Sequence, residues 1–155
     1  MHINMRIQLN YSLDKPLEEV WSQLKMVSTL EYVANPILKF EAVNPSVLPA
    51  EWTNGDYETS LLLFGFVPFG RQHIVIEIPN STTNDTKVLI DHGYGSMVQT
   101  WKHTITLSKK TDLQTSYQDE VIIQAGLLTP FVWFFAWIFY RWRRRNWFRL
   151  IKSTR

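Results

Sequence analysis

Two ionisable side chains, His103 in "MVQTWKHTITL" and Asp119 in "TSYQDEVIIQA", have the types and spacing to form an orienting pair. In the first stretch Trp101, His103, Ile105 and Leu107 share one face of a period-two pattern, and in the second Tyr117, Asp119, Val121 and Ile123 do. "SKKTD" between them reads as a hairpin turn. Centred on Thr111, that hairpin would set His103 opposite Asp119, Trp101 opposite Val121 and Ile105 opposite Tyr117, with facing Cβ atoms about 5 Å apart. An imidazole held by a carboxylate on an apolar face can hydrogen-bond a ligand or move a proton. The same pair can equally be a satisfied structural group, because leaving a buried histidine unpaired is costly. One bulge in either strand would send the two side chains to opposite faces.

Other chemistries find less support. His73, His92 and His103 stand on separate candidate strands without metal-ligand spacing, so no metal is expected. Gly65 with Gly70, and Gly93 with Gly95, read as turn or bulge glycines, and neither pair precedes a helix as a phosphate loop must. There is no Gly-x-Ser-x-Gly elbow, and with no cysteine there is no thiol nucleophile, thiolate metal site or disulfide. No cofactor is expected. Trp52 and Tyr57 flank the Asn54-Gly55 turn and either line an entrance or simply pack.

The elements that must position these residues are legible as periodicity. Ile3, Met5, Ile7, Leu9, Tyr11 and Leu13 alternate with mostly polar residues, the mark of a half-buried strand. "DKPLEEVWSQL" predicts a helix capped by Asp14 and started by Pro16, and "STLEYVANP" a second short helix stopped before Pro36. "ILKFEAV", "YETSLLLFG", "RQHIVIEI" and "TKVLIDHG" predict four strands ahead of the His103–Asp119 hairpin, with "FVPFG" turning between the second and third of them. The expected order is strand, two helices, six strands and one long helix. That is a single α+β domain over residues 1–155, with the last helix laid across one antiparallel sheet.

The last helix is the least conventional stretch. Thr129 suits an N-cap and Pro130 a first helical position. The apolar run Leu127–Tyr140 is shorter than the roughly 20 residues of a membrane span. At about 100° per residue, Leu128, Val132, Phe135, Phe139, Trp142, Asn146 and Leu150 form one stripe, assigned to the sheet. Asn146 interrupts it, so it either caps a buried partner or borders a wet cavity. Trp133, Trp137, Tyr140, Trp147 and Ile151 form an opposite stripe, whose cover is the chain's own helices, a homodimer partner or a lipid surface.

Charge is unevenly placed. Seven of the 16 basic residues fall in residues 141–155 with no acid, leaving nine bases against all 14 acids elsewhere. Trp133, Trp137 and Trp147 with Arg143, Arg144 and Arg145 would suit an anionic membrane surface. Nucleic acid is a poorer partner, because the rest of the chain is acidic. The lack of cysteine and of an apolar leader leads to an expectation of a cytoplasmic, membrane-peripheral protein.

The order of elements resembles the helix-grip superfamily of START-like, birch-pollen-allergen-like and polyketide-cyclase-like proteins. "KPLEEVWSQL", "LEYVANPILKF", "PFGRQHIVIEI", "WKH" and "GLLTPFVWFFAWIFYRWRRRNWFRL" look like a bacterial subgroup ending in Tyr-Arg-x-Arg and then Trp, here Tyr140, Arg141, Arg143 and Trp147. The resemblance implies a curved seven-stranded sheet gripping the last helix, with a hydrophobic small molecule (lipid, polyketide or quinone-like) bound or transferred between them. Phe40, Trp101, His103, Tyr117, Asp119, Phe135, Phe139, Trp142 and Asn146 are the expected lining. Some members of the superfamily are enzymes, so a cyclase or dehydratase using His103 and Asp119 is the alternative, and no catalytic motif is shared across members.

Overall fold

The computed structural model describes residues 4–80 and 82–154. Ile3 and Arg155, used in the pattern and charge readings above, lie outside the described residues. The chain runs β1 (Met5–Leu13), α1 (Leu17–Leu24), α2 (Val27–Ala34), β2 (Leu38–Asn44), β3 (Gly55–Leu63), β4 (Val67–Glu77), β5 (Thr86–Gly95), β6 (Thr100–Thr111), β7 (Gln114–Gln124), a 3₁₀ turn (Gly126–Leu128) and α3 (Thr129–Ser153). The seven strands form one antiparallel sheet in the order β1-β7-β6-β5-β4-β3-β2. The sheet is curved, and the architecture is an α+β helix grip.

Strict alternation explains β7, where every second residue from Thr115 to Ile123 is buried. Helix α1 buries Leu17, Val20, Trp21 and Leu24. Pro16, rather than Asp14, occupies its N-cap, so no side chain caps that helix. The α3 start also differs from expectation: Thr129 Oγ1 accepts from Ala125 N–H at 2.9 Å and donates to Gly126 O at 2.7 Å, organising the preceding turn instead of capping forward. The β3–β4 turn is tighter than "FVPFG" suggests, since β4 already begins at Val67. Phe64 and Gly65 make that turn with positive φ.

Gly93 and Gly95 are strand residues rather than turn residues. A Cβ on Gly93 would sit 2.7 Å from Trp101 O, and one on Gly95 would sit 2.3 Å from Arg71 O. Gly95→Ala should therefore destabilise the protein by about 1–3 kcal/mol, as overpacking does. Urea unfolding measures this, and an unchanged midpoint would contradict it.

Helix α3 lies closest to β1, β7 and α2. Its buried face is Val132, Ala136, Phe139, Tyr140, Arg143, Asn146, Trp147 and Ile151. This face is rotated by about 60° from the expected stripe on a helix with 3.6 residues per turn. Leu128 is exposed, and Phe135, Trp142 and Leu150 are only half-buried. The cause is close approach: Ala136, with no bulk, faces the sheet, and the large aromatics beside it are displaced to the flanks.

Two apolar clusters result. One gathers α1, α2 and the C-terminal part of α3 around Leu17, Trp21, Leu107 and Trp147. The other gathers the N-terminal part of α3 around Val121, Ile123, Val132 and Phe139. On β6, His103 separates Trp101 from Ile105; on β7, Asp119 separates Tyr117 from Val121. The polar residues thus form a belt between the clusters.

Candidate functional site

The belt begins with the strand register. In the β6–β7 hairpin His103 pairs with Val121, Ile105 with Asp119, Trp101 with Ile123 and Leu107 with Tyr117. This is two residues from the expected register, because the turn sits at Asp112–Leu113 and an irregularity falls between Lys109 and Thr111. A two-residue slip preserves the face. His103 and Asp119 are therefore diagonal neighbours, and His103 Nε2 lies 2.6 Å from Asp119 Oδ1. The second carboxylate oxygen accepts from Tyr11 Oη at 3.2 Å.

One strand over, Asp91 pairs directly with His103 across β5–β6. Its Oδ1 accepts from Val75 N–H at 2.9 Å. From the helix side Arg143 Nη2 donates to Tyr117 Oη at 2.8 Å, and Tyr140 Oη accepts from Trp101 Nε1 at 2.8 Å. The Tyr140 ring meets the His103 ring edge-on at 4.9 Å. Tyr140, Arg143 and Trp147, three residues of the terminal sequence motif, all turn inward.

Burial sets the charge states. Desolvation lowers the His103 pKa, against the opposing pull of its Asp119 hydrogen bond. With Asp119 as acceptor, the neutral ring carries its proton on Nε2 and leaves Nδ1 as acceptor. Desolvation raises Asp91 to about 7, against its backbone hydrogen bond and the Arg143 charge. Burial opposes the Arg143 charge, but the surrounding Tyr117 and Asp119 outweigh it and the guanidinium stays protonated.

The raised Asp91 pKa has a stability consequence. Between the unfolded and folded values the native state binds more protons, so this group's contribution to stability is full below about pH 4. It is lost as pH rises to about 7. His103 has the opposite slope, so the wild type minus Asp91→Asn difference isolates the carboxyl. That difference should fall from pH 4 to pH 7 and flatten above, as measured by urea unfolding at each pH.

Three chambers lie between sheet and helix. An inner one of about 50 Å³ is lined by Leu24, Trp52, Asp91, His103 and Arg143, among others. A middle one of about 70 Å³ shares Ile74, Asp91, His103 and Arg143 with it and adds Phe40, Trp101, Phe139 and Tyr140. An outer one of about 210 Å³ shares Leu38, Leu61, Phe69 and Trp101 with the middle chamber and adds Leu63, Phe131, Val132 and Phe135. The series runs from a polar, buried end to an apolar end at the exposed Phe131.

The expected lining residues divide accordingly. Phe40, Trp101, His103, Phe135 and Phe139 face the chambers. Tyr117 and Asp119 stand behind them, holding Arg143 and His103. Trp142 and Asn146 do not line a chamber: Trp142 Nε1 donates to Asn35 O at 2.9 Å, and Asn146 Nδ2 to Val33 O at 3.0 Å. They cap the end of α2, since a helix leaves its last carbonyls without internal partners. Among the expected surface residues, Arg143 is 4% exposed and Trp147 0%. Neither can contact a membrane or partner, because both point down the inward face of α3. Trp133 is half-buried and donates to Arg6 O at 2.9 Å. Trp137, Arg144 and Arg145 keep some exposure. Asp91, which shares the parity of the buried Leu89, is a functional candidate that the sequence does not single out, because Val88 and Ile90 on the other face are apolar as well.

Among the described residues no cluster suits a metal ion, and no helix is long and apolar enough to cross a membrane. The His73 cluster, with Nδ1 2.7 Å from Asp56 and Nε2 3.2 Å from Glu58, consists of side-chain contacts between neighbouring strands.

The grip of sheet on helix is that of START-like and polyketide-cyclase-like proteins. A START superfamily protein from Mycobacterium smegmatis superposes with a TM-score of 0.68 at 9% identity, covering 100% of both chains. Norcoclaurine synthase from Thalictrum flavum, in complex with dopamine and hydroxybenzaldehyde, gives 0.62 at 10% identity over 99% of this chain and 90% of that one. The Zhui aromatase/cyclase from Streptomyces gives 0.55 at 10% identity over 80% and 70%. Within that fold, the chain belongs to the domain of unknown function family DUF8410, whose pattern matches residues 11–151. No curated protein matches the chain at a significant level.

Proposed function

We propose that the protein binds or carries a hydrophobic small molecule between sheet and α3, apolar part outward and polar group inward. The observation that carries this reading is the graded chamber series, from Leu38, Leu63 and Phe135 at one end to Asp91, His103 and Arg143 at the other. Small-molecule sites combine an apolar lining with a few convergent polar groups in this way. The inner spaces are about the size of one or two waters, so ordered water completes the polar end or yields to a ligand's head group. Native mass spectrometry of freshly purified protein tests the reading. A ligand-sized adduct released on denaturation supports it, and a clean unliganded mass with no uptake of added apolar compounds removes it.

A second property is favoured by the outer face of α3. Leu127, Phe131, Phe134 and Ile138 are exposed on one side, which continues along the helix as Arg141, Arg145, Arg149 and Lys152. Phe64 and Phe66, on the hairpin beside the outer chamber, are exposed as well. We infer that this side rests on an anionic lipid surface, aromatic half inserted and basic half at the head groups. Binding to vesicles of anionic phospholipid should weaken with salt and fall about tenfold or more in a Phe131→Glu, Phe134→Glu double variant. Retained sedimentation of that variant with vesicles would contradict it.

A further inference from the structure

We propose that Arg143 anchors the head group of a monoanionic ligand, so that the molecule taken up is an apolar carboxylate whose hydrocarbon part fills the middle and outer chambers. This deepens the binding reading above and rests on it.

Three observations carry it. The first is an unsatisfied cation. Arg143 is 4% exposed, its Nη2 donates to a neutral hydroxyl, and its Nε has no partner. A buried charge is best held by a hydrogen-bonded counter-ion, and Asp119 acts on this guanidinium only through space, so its free donor is open to an acceptor from outside the chain. The second is that the nearby carboxylates bond other groups and neither is hydrogen-bonded to Arg143. Asp119 uses one oxygen on His103 and the other on Tyr11, and Asp91 gives Oδ1 to the Val75 amide. The third is position. Arg143 lines both the inner and middle chambers, where the apolar series ends.

Carboxylate is the best match among anions. A planar guanidinium edge fits two carboxylate oxygens. The charge also limits the choice: Asp119 already acts on Arg143 through space, so a single further negative charge is the most this end accommodates, whereas a doubly charged phosphate would face Asp119 and Asp91 without a further cation among the residues lining these chambers. Asp91, raised to about 7, can present a proton donor to the same head group near neutral pH.

The test uses the whole protein and matched ten-carbon probes, decanoic acid and 1-decanol, titrated at pH 6 by calorimetry. Decanoate should bind about tenfold or more tighter than decanol, as a hydrogen bond to a charged group implies. Arg143→Met should abolish that preference while leaving decanol affinity within about twofold. Should Arg143→Met fail to fold, ¹³C NMR of carboxyl-labelled decanoic acid on the wild type decides. The bound carboxyl should titrate at least one pH unit below the free acid, and an unshifted or raised value overturns the anchor. Equal affinity for acid and alcohol refutes the Arg143 assignment alone. Binding of neither probe removes the chamber reading beneath it.

Discussion

Asp119→Ala should destabilise the protein by about 3–5 kcal/mol, the cost of leaving hydrogen-bond donors without an acceptor and the buried Arg143 cation without its anion. The carboxylate is 0% exposed and accepts from His103 Nε2 and Tyr11 Oη. Without it the buried His103 and the half-buried Tyr11 lose their acceptor, and Arg143 loses the anion that acts on it through space. For a chain of this size the melting temperature should fall by roughly 10 °C. A fall of only a degree or two would mean that water replaces the carboxylate, and hence that the belt is wet. Asp119→Asn separates the contributions, because it keeps the volume and part of the hydrogen bonding while removing the charge. Its cost should lie between zero and that of the alanine variant.

Leu63→Trp should close the outer chamber and reduce affinity for an apolar ligand about 100-fold, equivalent to about 2.8 kcal/mol. Leu63 is half-buried at the end of β3 with its side chain on the chamber wall, so a larger ring can enter the space without displacing the central core. Displacing about 100 Å² of ligand surface from apolar contact costs about 2.5 kcal/mol at roughly 25 cal/mol/Å². The substitution lies far from the Asp91–His103–Asp119 row in the sheet and leaves the Arg143 contacts intact. Ligand affinity and stability should therefore respond separately: binding falls while the urea midpoint moves little.

Period-two alternation made the strands legible, and it placed His103 and Asp119 on one face even though the turn was misjudged. A slip of two residues costs nothing in facing, so the pair survived the error as a diagonal contact. Helix α3 was less legible for the same physical reason in reverse. It is apolar all round its first half, so hydrophobicity alone could not say which side meets the sheet. The deciding residue was the smallest, Ala136, buried at 0%. Arg143 was hidden by its company. Among so many C-terminal bases it reads with Arg144 and Arg145 as a surface charge suited to an anionic membrane, and only the rotation of the helix reveals it as the buried one. Asp91 was hidden for a related reason: it follows the unbroken apolar run Val88, Leu89 and Ile90, so alternation could not say which face of that strand turns inward.

The most direct measurement is native mass spectrometry of freshly purified wild type and Leu63→Trp, each paired with identification of whatever is released on denaturation. Wild type should carry an apolar molecule of a few hundred daltons or less, in line with chambers at the small end of ligand sites. The tryptophan variant should emerge bare with an unchanged fold. Equal loading of the two proteins, or a wild type that stays empty even when apolar compounds are supplied in excess, would contradict a ligand chamber between sheet and helix.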